Sequence, residues 1–404
     1  MDIAHAFHAR TPDTPESADP RQFSIVLGGP LYQLLRRAHV SGDALEMVRR
    51  RILAIALLAW LPLALLALLG RVQGPPPAVM FLKDIEVHVR FLIAVPLLVA
   101  AEILVHTRLR NVAGEFLARG LVPDESLERF HECLRSAFRL RNSMLAEIAM
   151  IALVYAVGIH FLWQRFAVLD VPTWYAVPTP DGASFTAAGY WYAYVSVPLF
   201  QFLLVRWYYR IAIWIRFLWQ VSRIRLRITA MHGDGYAGLG FLSGTVYAFV
   251  PLLMAHGAIV AGNIANRIFY QGARLPDAYV EIGIVAAYLL VLVATPLTFF
   301  ALQISEAKRR DARLYGRLAQ RYARDFEARW IEADSASSPL GSGDIQSLAD
   351  MSNSLATVRA TRSVPLTRDA IVKLGAATLA PIAPLALTII PAKELAAQLI
   401  KLLL

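Results

Sequence analysis

Two groups of side chains in this sequence combine residue types that do chemistry. The first is His232 and Asp234, two residues apart in the glycine-punctuated stretch HGDGYAGLGFL at 232–242. An imidazole and a carboxylate on such backbone could bind a cation, hold a phosphate-bearing ligand through a metal, or act as general acid and base. The alternative is a capped elbow, with Asp234 accepting backbone N–H bonds and His232 pairing locally. One His and one Asp are fewer than the three or four ligands a metal site takes. No metal or cofactor is therefore assigned, and the two residues stand as catalytic candidates only.

The second group is His256, Asn263 and Asn266, in the apolar segment that follows at once. Polar groups in hydrocarbon are costly, so they face protein or a water-filled path. Ala255, Ala258 and Gly262 give the same segment a small-residue face that lets helices approach closely. The three polar residues can make interhelical hydrogen bonds there, or line a conduit. Glu102 and His106 stand four apart on one helical face, and His160 closes another apolar segment; all are candidates for the polar interior of a bundle. Arg206, Arg210 and Arg216 have spacings of four and six, without the regular repeat of a voltage sensor, and are read as snorkelling to anionic lipid headgroups.

Recognisable catalytic signatures are missing: there is no HExxH, no GxSxG and no GxxxxGK[ST], so an enzymatic role has no anchor of that kind. The GLG of GYAGLGFL precedes an apolar segment and follows no strand, unlike a dinucleotide fingerprint. The single cysteine, Cys133, allows no intrachain disulfide and is read as inert.

The elements that must position these residues are helices in lipid. With 57% hydrophobic and 17% charged residues and a mean hydropathy of +0.49, the composition lies outside the soluble range. Apolar segments long enough to cross about 30 Å of hydrocarbon are predicted at 52–69, 91–106 and 144–163. Others start near 190, follow the 232–242 stretch, and cover 282–302 and 371–390. The last holds Pro381 and Pro384, which remove backbone donors and kink a helix. After 204 the fourth continues through RWYYRIAIWIRF as one long helix leaving the bilayer. A loop rich in Trp, Tyr and Pro precedes it, as at a membrane boundary. The fold class expected is all-α, a polytopic transmembrane bundle of about seven spans with cytosolic helical extensions.

The net charge of +10 reads as topology, not as nucleic-acid binding. If the spans alternate, one side holds 7 Lys/Arg in 1–51, 7 in 108–143, 6 in 206–227 and 12 in 305–373, which is 32 of 40. That bias puts the N-terminus in the cytosol and, with seven spans, the C-terminus outside; a re-entrant last segment would return it. The chain then divides into a tail and interfacial helix (1–51), a transmembrane hairpin (52–107), cytosolic helices (108–143) and a transmembrane bundle (144–304). An amphipathic cytosolic helix (305–332), a linker (333–370) and the last span with a terminal amphipathic helix (371–404) complete it. In 31–37, Leu31, Leu34 and Leu35 beside Arg36 and Arg37 suit an anionic leaflet. Asp124, after a break at 120–123, suits a helix N-cap. Leu314, Leu318, Tyr322, Phe326 and Trp330 recur every fourth residue, a stripe that packs on another cytosolic helix or a second subunit. The expected partners are the bilayer, anionic headgroups and further copies of the chain. No internal repeat is evident.

Three stretches, GGPLYQLLRR at 28–37, HGDGYAGLGFL at 232–242, and SGDIQSLADMSNS at 342–354 followed by RSVPLTRD, resemble a family of uncharacterised bacterial multi-pass membrane proteins. The second is similar to that family's His-Pro-Asp-Arg-Ala-Gly-Gly-Leu-Gly-Phe-Leu pattern, with Gly233 in place of Pro and Gly235, Tyr236 and Ala237 in place of Arg-Ala-Gly. The resemblance implies a helical bundle in a bacterial inner membrane, with no activity attached. On this reading an oligomeric ion channel or transporter-like conduit comes first. A membrane-embedded enzyme acting on a lipid or phosphorylated substrate through His232 and Asp234, and a sensor or scaffold, are the alternatives.

Overall fold

The computed structural model describes residues 23–29, 48–70, 76–166, 172–179, 182–332 and 343–388, with the side chains of 159–166 and 182–183 left aside. The N-terminal tail, the interfacial helix at 31–37, most of the small-residue linker and the terminal amphipathic helix lie outside them, as does the side chain of His160.

Long runs of Leu, Ala and Val form helices, and the described residues are helical but for one hairpin and the connecting loops. Helix α1 is Val48–Leu69 and α2 the short Pro77–Lys83. Helix α3, Ile85–Ala118, joins a predicted span and a predicted cytosolic helix into 34 continuous residues. It starts six residues before the expected 91, because the Asp84 carboxylate accepts the Val87 N–H at 3.3 Å and caps the first turn. Helix α4 is Leu127–Arg141 and α5 Met144–Phe166. The hairpin pairs β1, Ala176–Thr179, with β2, Gly182–Phe185.

Helix α6, Ala187–Val221, is 35 residues long, as the unbroken apolar run predicts. A 3-10 stretch, Gly240–Phe249, leads into α7, Val250–Gln271. Helix α8 is Tyr279–Thr298, α9 Ala301–Glu327, α10 Gly343–Ala360 and α11 Arg368–Leu379. Asp124 heads a 3-10 turn and makes no cap bond with its side chain; its carboxylate sits 3.5 Å from Arg227 and is largely exposed.

Five of these helices are long and apolar enough to cross a membrane, and α4 with α5, bent by 45° at their junction, makes a sixth if counted as one span. The helical architecture and these lengths fit a multi-pass membrane protein. The seventh predicted span is not a single helix. Helix α11 stops at Leu379, where Pro381 and Pro384 withhold their donors, and a 3-10 turn, Ala383–Thr388, follows. Exposure is inverted relative to a water-soluble protein, with Leu53, Leu57, Leu61, Leu65 and Leu68 facing outward on α1, and Val280, Ile284 and Val291 on α8. The core between the helices holds Phe91, Leu98, Phe116, Trp207, Trp214 and Phe217, all nearly inaccessible.

Contacts along the helices fix their directions. Arg51 and Ala59 of α1 meet Glu102 of α3 and Ser196 of α6, while Trp60 Nε1 donates to His88 at 2.9 Å. Helix α1 therefore runs against α3 and α6, which run together. The loop after α6, 222–239, has no regular structure of its own, and several of its backbone groups are satisfied by α9. Gln303 Nε2 donates to the Ser222 and Ile224 carbonyls, Arg310 donates to Ile228 O at 2.8 Å, and Asp311 accepts from Thr229 and the Ala230 N–H at 3.0 and 2.7 Å. The Thr361 hydroxyl closes the layer on Ala230 O at 3.0 Å. The stripe on α9 is only partly covered: Tyr322 and Trp330 bond to Asp344 of α10, while Leu314 and Leu318 stay exposed.

Candidate functional site

The densest ionic group lies at the arginine-rich end of the bundle. Glu102 of α3 is held between two guanidiniums: Arg210 of α6 donates to Oε1 at 2.7 Å and Arg51 of α1 donates to Oε2. The three side chains are 5–8% exposed. Burying an ion costs several kcal/mol, recovered only when its partners are well placed, and here both carboxylate oxygens have a charged donor. One helical turn earlier on α6, Arg206 is 8% exposed, and its nearest counter-charge among the described residues is Glu147 of α5 at 3.6 Å.

Residues 23–29 thread into this end. Phe23, fully buried, packs on Phe138, Trp214 and Phe217. Ser24 Oγ lies 2.9 Å from His106 Nδ1, and Arg141 donates to the Ser24 carbonyl at 2.8 Å. Beside them lies a small, partly open pocket with a cavity volume of about 10 Å³, room for about one water, lined by Ile25, Gly28, Arg141, Glu147, Arg206, Tyr209 and Arg210, with Met150 and Ile213.

A second polar network sits further along the same helices. Arg90 and Glu102 are twelve residues apart on α3, about 18 Å of rise. Arg90 pairs with Glu86 and donates to Tyr192 Oη at 2.8 Å. Asn266 spans the break before α3: its Nδ2 donates to Asp84 at 2.9 Å and its Oδ1 accepts the Ile85 N–H at 2.9 Å. Asn263 reaches Glu86 at 3.4 Å and Trp174 Nε1 donates to Asp84 at 3.0 Å.

Both helices that meet here are irregular for one reason. Arg90–Ala94 and Tyr192–Ser196 are π-turns, and in each the following valine, Val95 or Val197, donates its N–H five residues back. The next residue is proline, Pro96 or Pro198, whose ring excludes a normal i−4 carbonyl and whose nitrogen offers no donor. The chain responds by inserting a wider turn, a feature common at functional sites. A third Val-Pro pair, Val250-Pro251, stands where the 3-10 stretch becomes α7.

Between the two networks the α3–α6 seam is apolar. Phe200 lies under Arg90 and Trp207 under Arg210, at 5.5 and 5.0 Å from ring centre to guanidinium carbon. Trp207, Leu98 and Leu203 are buried in between, and the Trp207 indole donates to the Leu98 carbonyl at 2.9 Å. His256 of α7 lies on the other side of α6, with Nε2 2.7 Å from Tyr208 Oη and Nδ1 2.8 Å from the Leu252 carbonyl. The small-residue face of α7 is used twice. Gly262 packs on Val89 and Glu86, and at Gly257 an added Cβ would fall 2.0 Å from the Thr378 carbonyl oxygen of α11.

The elbow at 232–242 is built around Asp234. Its carboxylate accepts the N–H groups of Tyr236, Gly238 and Gly240 at 2.8, 3.1 and 2.8 Å. Burial pulls the carboxyl up, but these donors outweigh it and hold Asp234 below the ordinary carboxylate range. A Cβ at Gly240 would come within 2.9 Å of Asp234 Oδ2 and push the carboxylate off its donors. His232 stands beside it, half exposed, with Nδ1 3.1 Å from Oδ1 of Asp234. No group of three His, Cys, Asp or Glu among the described residues is placed to hold a metal. No family model, curated protein or solved structure matches this chain.

The structure brings Glu102, Asn263 and Asn266 into ion-pair or hydrogen-bond networks, but it separates His106, which turns to Ser24. Of the three arginines expected at headgroups only Arg216 is exposed; Arg206 and Arg210 are 7% and 4% exposed. They point inward because Glu102 and Glu147 stand opposite them, within reach without snorkelling. Arg51, Glu86, Arg90 and Tyr192 were not singled out by sequence reasoning. The signal that could have found Arg90 and Tyr192 is a charged or phenolic residue six positions before proline, in Arg90…Pro96 and Tyr192…Pro198; Arg51 and Glu86 carry no such local signal.

Proposed function

We propose that this chain is a transporter-like conduit of the bacterial inner membrane, moving an ion or small charged solute along the α3–α6 seam. The observation that carries the reading is the pair of ionic networks at two levels of the bundle, the one around Glu102 buried and the one around Arg90 part-buried, with the apolar Leu98–Leu203–Trp207 layer between them. Ionisable groups within spans mark pathways by default, interrupted helices are a transporter feature, and apolar constrictions gate by excluding water. A mere anchor has no use for any of the three.

The same reading takes the arginine-rich end as cytosolic and counts seven crossings. In its support, the chain after Thr367 starts beside Tyr247, which donates to Asp369 at 2.9 Å, passes Gly257, and reaches Leu275 and Ala278 through Ile382 and Leu385. That path follows α7 from end to end, broken by its prolines. Assembly into homo-oligomers would use the open Leu314–Leu318 side of α9. The enzymatic alternative is weaker, because the carboxylate of Asp234 is already engaged by backbone donors.

Flux decides. In proteoliposomes loaded with potassium chloride, Trp207→Ala opens the apolar layer and raises ion or proton leak at least tenfold over wild type, while Asn263→Leu, which loses the contact to Glu86, lowers wild-type flux. Absence of flux from both wild type and Trp207→Ala overturns the conduit.

A further inference from the structure

One face of the α8–α9 arm passes from apolar to basic without a break. On α8, Ile284, Tyr288, Val291, Thr295 and Thr298 follow one another at steps of three and four, and all are exposed, the side that a membrane-crossing helix turns to lipid. The two threonines donate to their own helix, to the Val291 and Thr295 carbonyls at 2.6 and 2.7 Å, as hydroxyls in hydrocarbon must. Phe299 and Phe300 keep right-handed helical dihedrals, so the register carries on into α9. There the same face holds Leu302, 75% exposed, and then Glu306, Arg309, Arg313 and Arg317, all exposed. Lys308 is engaged by the Thr361 carbonyl, and Arg310 by Asp311 and the Ile228 carbonyl. Arg309, Arg313 and Arg317 make no ion pair or hydrogen bond among the described residues.

We propose that Arg309, Arg313 and Arg317 bind the headgroups of anionic phospholipids in the leaflet at the arginine-rich end. Clustered basic residues just beyond a membrane-spanning helix are drawn to anionic lipid, and three cations against the single acid Glu306 give this face the matching charge. Position agrees with charge. Arg309 follows Leu302 by seven residues, about 10 Å of helix, where the headgroup layer succeeds about 30 Å of hydrocarbon; the long side chains at 313 and 317 can reach back towards it. Arg206 and Arg210, turned inward, leave that contact to another helix. Leu314 and Leu318 lie on the adjoining side of α9 and take no part. The inference needs α8 to cross the bilayer and does not need the conduit.

The test measures lipid selectivity at the perimeter of the full-length protein, reconstituted in phosphatidylcholine with a trace of spin-labelled phosphatidylglycerol or phosphatidylcholine. The motionally restricted fraction of each probe gives their relative affinity. Wild type prefers phosphatidylglycerol about threefold, less than the about fivefold that one cation adds beside an anionic surface, because most perimeter lipids touch other helices. Arg309→Gln, Arg313→Gln and Arg317→Gln together bring the preference below about 1.5-fold, and salt at about 1 M does the same to wild type. The matching triple lysine variant keeps the preference; its loss there would mark a structural role and refute attraction to headgroups. Arg321→Gln, Arg324→Gln and Arg359→Gln, which remove equal charge further from Leu302, leave it unchanged. Equal loss in both glutamine triples would make net charge the cause and overturn the proposal. No preference in wild type overturns it as well, and a preference that survives the first triple would leave this face to a soluble polyanion or acidic protein and overturn it too. Should the first triple not fold, Arg309→Gln alone is read in the same way.

Discussion

Replacing Glu102 by leucine removes the only carboxylate that both Arg51 and Arg210 touch among the described residues. Their side chains are 8% and 5% exposed, so neither guanidinium can recover its hydration without moving a helix. Truncating one partner of a buried ion pair costs about 3–5 kcal/mol. Here one truncation strands two guanidiniums, which places Glu102→Leu at the upper end, about 5 kcal/mol. Removing all three charges together, as Arg51→Met, Glu102→Leu and Arg210→Met, leaves no stranded ion, and exchanges of that kind are about neutral or even stabilising. The assay is unfolding of the purified protein in mixed micelles by titration with sodium dodecyl sulfate, with flux measured on the same preparations. The single variant unfolds at much lower dodecyl sulfate, the triple variant near wild type, and the triple variant conducts nothing. Equal destabilisation of single and triple would mean that packing, not charge, sets the cost. A stable triple variant with full wild-type flux would make the network a structural clamp and remove the main support for the conduit.

Two further outcomes follow from close contacts elsewhere. Gly257→Ala forces α7 and α11 apart, because the new methyl would lie 2.0 Å from the Thr378 carbonyl oxygen; overpacking of this kind costs about 1–3 kcal/mol, read as a lower melting temperature, while Gly283→Ala, with open space around it, changes little. Acidification should loosen the layer formed by residues 222–239 and α9. Burial raises the carboxyls of Asp234 and Asp311, but donors from the elbow backbone for the first, and from Arg310, Ala230 and Thr229 for the second, hold both below their ordinary value. A folded-state pKa below the unfolded one, about 3.9, gives stability that is present above that value and lost as pH falls through the folded pKa. Melting curves between pH 6 and 3 show the loss, and Asp234→Asn with Asp311→Asn, already destabilised at pH 6, shows a smaller one; an unchanged pH dependence in that double variant refutes the assignment.

Much of the bundle was readable from composition. Runs of Leu and Ala without charge make helices that expose leucine outward, and α6 is as long as its unbroken apolar sequence requires. Pro381 and Pro384 announced a broken last segment. What could not be read is pairing at a distance. Arg51, Glu102 and Arg210 are separated by 51 and 108 positions, and nothing local in any of them names the others. The start of α3 was missed for a related reason: Asp84 looks like a loop charge until its carboxylate is seen capping Val87 and receiving Asn266 and Trp174. The elbow at 232–242 was legible as a choice between two chemistries, and only the three N–H groups pointing at Asp234 say where its carboxylate is spent.

The inward turn of Arg210 had a local signature after all. Phe200, Leu203, Trp207, Arg210, Trp214, Phe217 and Val221 follow one another at alternating steps of three and four, and all are buried. That is the spacing of a packed helix seam, and it assigns Arg210 to the interior through its neighbours, whatever its own polarity suggests. Arg216 falls off the same register and is exposed. Judged one residue at a time, an arginine near a membrane boundary is expected to reach for headgroups. Within a seam rich in aromatic residues, its guanidinium already lies over the Trp207 ring and must find its counter-charge inside the bundle. Glu102 of α3 meets that requirement, which is why a carboxylate in the middle of an apolar helix and an arginine in the middle of an aromatic stripe are best read as two halves of one feature.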